Sequence, residues 1–166
     1  MRGRLMAIAA LAGWALPAAA DSGNSEVRTG SASAQIVRPL VLVHRPGQVL
    51  NFGRFAVGTS TGTVIVSPSG AGSVTGGVSV VAGSNTASDR MTVSGDPNRL
   101  VSITTGSGSV SNGSATMSFT TTPSVGAGYI PFTGSGFFTI GGTLTVLPGQ
   151  AAGSYSGSYP VVVSYN

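Results

Sequence analysis

Two stretches near the end of the chain show the clearest alternation of apolar and polar residues. In residues 138–146 the apolar side chains occupy most even positions and threonines most odd ones, which is typical of a half-buried β-strand. In residues 155–165 the odd positions carry only tyrosine, glycine or valine, which indicates a second strand. Pro148, Gly149 and Gly153 lie between them and favour a chain reversal. The pattern predicts a wide hairpin.

The second of these strands is predicted to lie at the edge of its sheet or to have Pro160 turned outward. Pro160 lies inside it, and proline has no N–H to donate to a ladder. An edge strand exposes unpaired backbone groups that can pair with another chain. The predicted docking edge has the apolar row Tyr155, Tyr159, Val161, Val163 and Tyr165. Its expected partner is another copy of the protein or a periplasmic chaperone.

Shorter apolar-rich stretches precede this region and predict further strands. The first, residues 32–43, contains Pro39, and a strand with such a kink often passes from one sheet to another. It could also close the sheet edge within its own chain and leave a complete monomer. The remaining predicted strands are residues 49–53, 63–67, 74–81, 90–93, 100–104 and 115–120, with a turn at residues 58–62.

The spacing of the strands predicts the fold class. No helical i, i+3, i+4 repeat follows the first 20 residues, and short strands with glycine-rich turns are typical of β-sandwiches and barrels. We therefore expect an all-β fold, a Greek-key immunoglobulin-like β-sandwich. Its predicted core is Ile36, Leu50, Phe52, Val64, Val66, Val80, Met91, Val93, Ile103, Met117, Phe119, Phe138, Ile140, Leu144, Val146, Val161 and Val163.

The N-terminal region predicts export. Arg2 and Arg4 precede an apolar run over residues 5–16, and small residues follow at 18–20, which is the pattern of a secretory signal peptide. We expect residues 1–20 to be that peptide, residues 21–30 to be a flexible polar leader, and residues 31–166 to be a single domain. No later stretch has the ~20 apolar residues of a transmembrane helix. The expected location is the periplasm, the outer cell surface or the medium.

Charge and cysteine content narrow the function classes. After residue 20 the chain has six arginines and four acidic residues, a net charge of about +2. The arginines are scattered singly, which disfavours nucleic-acid binding because a phosphate backbone is recognised by clustered cations. No cysteine is present, so the fold depends on its core and its ladders instead of disulfides.

Candidate catalytic and metal-binding residues are few. Residues 58–62 match the G-x-S-x-G pattern around Ser60, but a nucleophile elbow needs a helix after the serine and an acid and a histidine further on. The single histidine, His44, precedes Ser60, and a strand is predicted to follow. One histidine and four dispersed acids do not suggest a metal site; Asp89 and Asp96 are expected to cap turns. We therefore expect no enzyme activity and no cofactor.

Aromatic residues offer an alternative function. If they were exposed together, their rings could stack on sugars, and the protein would be a secreted carbohydrate-binding or other recognition module. Packing within the core explains most of them without a ligand. The residues are Tyr129, Tyr155, Tyr159, Tyr165, Phe132, Phe137 and Phe138.

Several motifs carry a family resemblance. LNFG at residues 50–53, GTVIVSPSG at 62–70, GDPN at 95–98 and the ending GGTLTVLPGQAAGSYSGSYPVVVSYN occur in this order. In this combination, residues 31–166 resemble the bacterial DUF4402 domain. More distantly, the LNFG element and the ending are similar to spore coat U type subunits of chaperone-usher pili.

The second resemblance implies an incomplete immunoglobulin-like sandwich that a donor strand from a neighbour completes. Two features differ from that pattern: cysteines are absent, and residues 21–30 lack an alternating row of large apolar residues. The expected function is that of an exported, non-enzymatic structural or adhesive cell-surface protein, such as a subunit of a pilus-like fibre.

Overall fold

A computed structural model of the chain describes residues 27–166, in which all regular structure is β-strand. This confirms the predicted all-β class. The predicted signal peptide, and the leader up to residue 26, lie outside the described residues. Residues 36–166 form one compact unit. The strands are β1 (Val41–His44), β2 (Phe55–Val66), β3 (Gly72–Val80), β4 (Asp89–Ser94), β5 (Leu100–Thr105), β6 (Gly108–Ser111), β7 (Thr116–Pro123), β8 (Ala127–Tyr129), β9 (Ser135–Val146), β10 (Ser156–Ser158) and β11 (Val161–Tyr165).

The twelve-residue strand β9 is the centre of an eight-stranded antiparallel sheet. Strand β4 pairs with its first half and β2 with its second half, while β7 pairs with the opposite edge. Strand β1 lies outside β4, β3 outside β2, and β6 and β10 outside β7. The alternation that predicted β9 therefore marks the strand with the most partners, and its even-numbered side chains form the centre of the core.

A second, three-stranded antiparallel sheet has the order β11-β5-β8. It packs against the start of β9, because Ile103, Val161 and Val163 from this sheet contact apolar side chains of β4 and β9. Those contacts form one of two core clusters. Its buried members are Val93, Ile103, Phe138 and Ile140.

The other core cluster lies beneath the second half of β9. Irregular segments that carry Leu50, Phe52, Tyr155 and Tyr159 pack against it. Gly142 makes this packing possible, because a Cβ there would lie 2.7 Å from the Thr120 carbonyl oxygen and 3.0 Å from the Leu50 side chain. The buried members are Val64, Val78, Met117, Phe119, Leu144 and Val146.

The predicted C-terminal hairpin was wrong. Strand β9 pairs with β4, β2 and β7, and residues 155–165 divide into two strands at Pro160. Before this proline, β10 pairs with β6 of the large sheet; after it, β11 pairs with β5 of the small sheet. The missing N–H of Pro160 interrupts the ladder and lets the chain change sheets. The crossover between sheets was predicted at Pro39 and occurs here instead.

The predicted first strand was wrong over most of its length. Residues 27–40 contain no strand, and only Val41–His44 pair, with β4. Ile36 is 98 % exposed and is not a core residue. The alternating residues before it are Ala32 and Ala34, which bury too little apolar area to hold the segment against a sheet.

Two further predictions need correction. Residues 58–62 belong to β2 and not to a turn; the ladder with β3 is irregular between Val57 and Gly62, and the Ser60 carbonyl approaches Gly77 so closely that no Cβ would fit there. Val80 is exposed, because it lies at the end of the outer strand β3, beyond the apolar cluster. The other predicted core residues are buried or pack against the two clusters. Of residues 49–53, only Asn51 forms a bridge, with Ala87.

Candidate functional site

A cleft of about 1000 Å³ opens above the cluster beneath the second half of β9. One wall is residues 49–57 and the other is residues 150–159. Met117, Phe119 and Leu144 form its apolar floor. Clefts with mostly apolar linings and a few polar groups are the usual form of a ligand site.

Each wall is held by hydrogen bonds, either to a neighbouring segment or within the wall itself. Asn51 exchanges two backbone hydrogen bonds with Ala87, at 2.9 and 3.0 Å, and the Arg54 N–H donates to Ser84 Oγ. In the opposite wall, β10 pairs with β6, and the Tyr155 hydroxyl donates to the Ala151 carbonyl. Because hydrogen bonds hold both walls, the cleft between them is part of the folded structure.

A buried carboxylate lies at one end of the cleft. Asp89, at the start of β4, is 4 % exposed. Its Oδ1 accepts hydrogen bonds from His44 Nε2 at 2.7 Å and from the Arg90 N–H at 2.6 Å, and its Oδ2 accepts one from the Tyr159 hydroxyl at 2.6 Å. These contacts join the end of β1, the start of β4 and the crossover between β10 and β11. The expectation that Asp89 caps a turn was therefore wrong.

The carboxylate also determines the electrostatics of Tyr159. Burial, followed by the hydrogen bond to Asp89, raises the pKa of the Tyr159 phenol well above its ordinary value of about 10. The phenol remains a hydrogen-bond donor at neutral pH. Its ring packs edge to face against Phe119, with centroids 5.9 Å apart. The Tyr159 hydroxyl therefore bonds the buried carboxylate, while its ring packs in the core.

The residues of the predicted docking edge lie in two places. Tyr155 and Tyr159 line the cleft. Val161 and Val163 pack into the cluster between the sheets. The Tyr165 hydroxyl donates to the Arg38 carbonyl at 2.8 Å and accepts from the Asp96 N–H at 2.6 Å. These side chains all point into the domain, so they do not form an exposed apolar row.

Although the alternate side chains of β11 point into the domain, the backbone on one side of β11 is not paired with another strand of the described residues. Strand β11 is an outer strand of the small sheet. Asn166 N–H donates to the Leu100 carbonyl, and Gly106 N–H donates to the Pro160 carbonyl. Because bonding positions alternate in an antiparallel pair, the backbone groups of Val161, Val163 and Tyr165 point away from β5. In residues 27–166 no ladder uses that side of β11.

The other candidate residues are separated. Ser60 lies in the irregular part of β2, whereas His44 bonds Asp89. Asp96 accepts a hydrogen bond from Arg99 Nε at 3.0 Å within the turn before β5. Across residues 27–166, no three histidine or acidic side chains come together as they would in a metal site. In the same residues, no helix is long and apolar enough to cross a membrane.

The aromatic residues divide into an inward and an exposed group. Phe138 is buried, and the hydroxyls of Tyr155, Tyr159 and Tyr165 are engaged within the domain. Tyr129, Phe132 and Phe137 are exposed by 71 %, 82 % and 61 %. Tyr129 and Phe137 also line a smaller cleft of about 410 Å³ that opens beside the cluster between the sheets.

Sequence reasoning missed the Asp89 site. Its three side chains are 45 and 70 residues apart in the chain, and no local motif joins them. The one available signal was that a lone histidine and a lone aspartate each stand at the end of a predicted strand.

The fold and the site together define an all-β protein with two antiparallel sheets and an apolar cleft that ends at a buried carboxylate. The chain belongs to the family described as "Domain of unknown function (DUF4402)", whose model matches residues 43–165. This confirms the resemblance of the sequence motifs to the DUF4402 domain. No curated protein and no solved structure matches the chain.

Proposed function

We propose that the protein is an exported, non-enzymatic structural or adhesive subunit of the cell surface that associates through strand β11. The observation that carries this proposal is the outward-facing backbone row at Val161, Val163 and Tyr165. The signal-peptide pattern of residues 1–20 supports export. The partner is another copy of the chain or a periplasmic chaperone.

An immunoglobulin-like sandwich of Greek-key type is part of the same proposal. Two antiparallel sheets that contact through Val93, Ile103 and Phe138 support it, as does the similarity of the ending to spore coat U type subunits. In such a sandwich, a strand supplied by a neighbour adds to an open sheet edge through main-chain hydrogen bonds.

Residues before β1 are the proposed source of the added strand. Within residues 27–166, the two sheets use the chain only from Val41 onward, and residues 31–36 are exposed and contain no strand. The small side chains of residues 31–34 suit a strand that binds mainly through its backbone. On β11, the exposed side chain of Val162 is available for contact with the added strand.

Two proline variants of the mature chain test the role of β11. Val163→Pro removes an outward N–H of β11 and leaves the N–H donors that face β5. Leu42→Pro is the matched control, because alternation places the Leu42 N–H on the outer side of β1, away from β4. We expect the wild type and the Leu42 variant to form high-mass assemblies in analytical ultracentrifugation, and the Val163 variant to remain monomeric. Circular dichroism establishes that this variant is folded, since Val163 also packs into the cluster between the sheets.

A chain that lacks residues 21–36 tests the source of the strand. It retains every strand of residues 27–166 as well as the Arg38 and Leu40 contacts, so we expect it to fold but not to assemble. If the intact mature chain stays monomeric at millimolar concentration without a chaperone, self-association is excluded. If Val163→Pro also leaves chaperone binding unchanged, the proposed role of β11 is wrong.

A secreted carbohydrate-binding or other recognition module is the second candidate. The exposure of Tyr129, Phe132 and Phe137 supports it, because large apolar side chains at the surface often mark binding sites. Retention of the monomer on immobilised glycans would favour this candidate, and Phe137→Ala should then reduce the retention.

A further inference from the structure

Strands β1, β4 and β9 present one continuous outer face. Successive side chains of a strand point to opposite faces of the sheet. Met91, Val93 and Phe138 point inward to the core, so their neighbours in the chain point outward. Across this outer face, Val43, Thr92 and Phe137 are paired in register. Three strands span about 10 Å, and both Val43 and Phe137 are exposed. The outer face consists of this row and of the next one, which contains Arg45, Arg90 and Thr139.

The next row of the outer face contains two arginines side by side. The Arg45 N–H donates to the Arg90 carbonyl at 3.1 Å and extends the β1–β4 ladder by one residue. Arg90 in turn pairs with Thr139 of β9. Like charges directly opposite each other on a sheet are destabilising. An anion bound between Arg45 and Arg90 would relieve that repulsion.

The arginine pair has no acidic partner within the described part of the chain. Asp89 points to the opposite face, where it bonds His44 and Tyr159, and Asp96 bonds Arg99. Arg90 Nε is buried and makes no hydrogen bond there. The guanidinium carbon lies over the Phe137 ring, 3.6 Å from its centroid. The ring thus holds in place a cation that no carboxylate of the described residues neutralises.

We propose that the outer face binds an acidic saccharide, a sugar chain with carboxylate-bearing rings. The planar guanidinium of Arg90, with Arg45 beside it, matches the geometry of a carboxylate. Thr92 and Thr139 place hydroxyl groups next to this pair, and Phe137 and Val43 supply apolar surface for the C–H face of a sugar ring. A flat face with hydroxyl groups suits a sugar chain better than an acidic peptide, for which cations alone would suffice.

This inference deepens the second candidate function and does not depend on assembly through β11. The test uses the mature chain and isothermal titration with three probes: trigalacturonic acid, its methyl ester and a hexaglutamate peptide. The ester keeps the sugar rings and removes the charge. We expect the acid to bind, the ester to bind at least about tenfold more weakly, and the peptide to bind more weakly than the acid.

Four variants locate the site. Arg90→Met and Arg45→Met should each weaken binding of the acid about tenfold, and Phe137→Leu about fivefold. Arg54→Met is the matched control: it removes the same charge from a cleft wall, where Arg54 bonds the Gly83 carbonyl. We expect it to bind within about twofold of the wild type. Thermal unfolding of each variant establishes that it is folded.

Several results would overturn the inference. Equal binding of acid and ester, equal binding of the peptide, or an equal loss in Arg54→Met would each refute a specific acidic-sugar site. If only the ester binds, the arginine assignment is wrong but the recognition module stands. If neither saccharide binds, the acidic-saccharide site is wrong, and retention on immobilised glycans still tests the recognition module. If Arg90→Met does not fold, the variants of the exposed residues Arg45 and Phe137 and the comparison with the ester still test whether the outer face binds an acidic saccharide.

Discussion

Removal of one hydroxyl group tests the buried carboxylate site directly. In Tyr159→Phe the ring stays and keeps its edge-to-face contact with Phe119, while the 2.6 Å hydrogen bond to Asp89 Oδ2 is lost. Asp89 keeps its bonds from His44 and from the Arg90 N–H. The carboxylate therefore loses one of three donors without being left unpaired.

The expected loss of folding free energy in Tyr159→Phe follows from the charge of the Asp89 acceptor. A hydrogen bond to a charged group contributes about 1.5 to 3 kcal/mol, and the two remaining donors put the loss at the lower end, about 1.5 to 2 kcal/mol. For a domain of this size, that corresponds to a fall in melting temperature of roughly 5 to 8 °C. Tyr155→Phe is the matched control, because its hydroxyl bonds the Ala151 carbonyl at the surface. Urea unfolding followed by circular dichroism measures both variants.

The same pair of variants predicts a difference in pH dependence. Because the pKa of Tyr159 is raised above about 10 in the folded state, the folded protein holds this proton more tightly than the unfolded chain does. The resulting stabilisation is complete below about pH 10 and declines as the pH rises further. Tyr159→Phe should lack this part of the alkaline decline. If Tyr159→Phe and Tyr155→Phe lose equal stability and share one alkaline profile, the Asp89 bond does not stabilise the fold.

Three further substitutions test the core assignment by urea unfolding. Leu144→Ala should cost about 2 to 5 kcal/mol because it leaves a cavity beneath β9; an unchanged midpoint would contradict its burial. Ile36→Ala should change stability by less than about 0.5 kcal/mol, since Ile36 is exposed, and a larger loss would mean that residues before β1 are held in the core. Gly142→Val should destabilise by more than about 1 kcal/mol, because its side chain would meet the Thr120 carbonyl and displace Leu50; full stability would show that this wall is free to move.

Sequence patterns predicted the parts of the fold that depend on long alternation. The even-numbered residues of β9 are inward as predicted, and Met117 and Phe119 of β7 are buried. Strands β6 and β8 were missed because they have only four and three residues, too few to show a period. Their positions are set by the neighbouring strands β7 and β5, which is tertiary information.

The pairing between distant strands could not be predicted from the sequence, because it also depends on tertiary structure. The alternation around Pro160 correctly gave the inward side of residues 155–165, but the partners β6 and β5 depend on how the two sheets stack. The Asp89 site exists only after β1, β4 and the crossover have come together. The role of β11 as a docking edge remains a prediction, now based on its outward backbone and not on its apolar side chains.

The crossover at Pro160 makes residues 156–165 the last segment in sequence to join both sheets. Strands β10 and β11 pair with strands that precede them by some 45 to 65 residues, and Tyr159 between them bonds Asp89. A chain still emerging from a ribosome or a translocation channel has none of these contacts. The domain therefore cannot mature stepwise from its N-terminal side, and long-range closure of this kind is slow. A copy cut short before Tyr159 would leave both sheets unfinished, so the native fold requires residues 156–165.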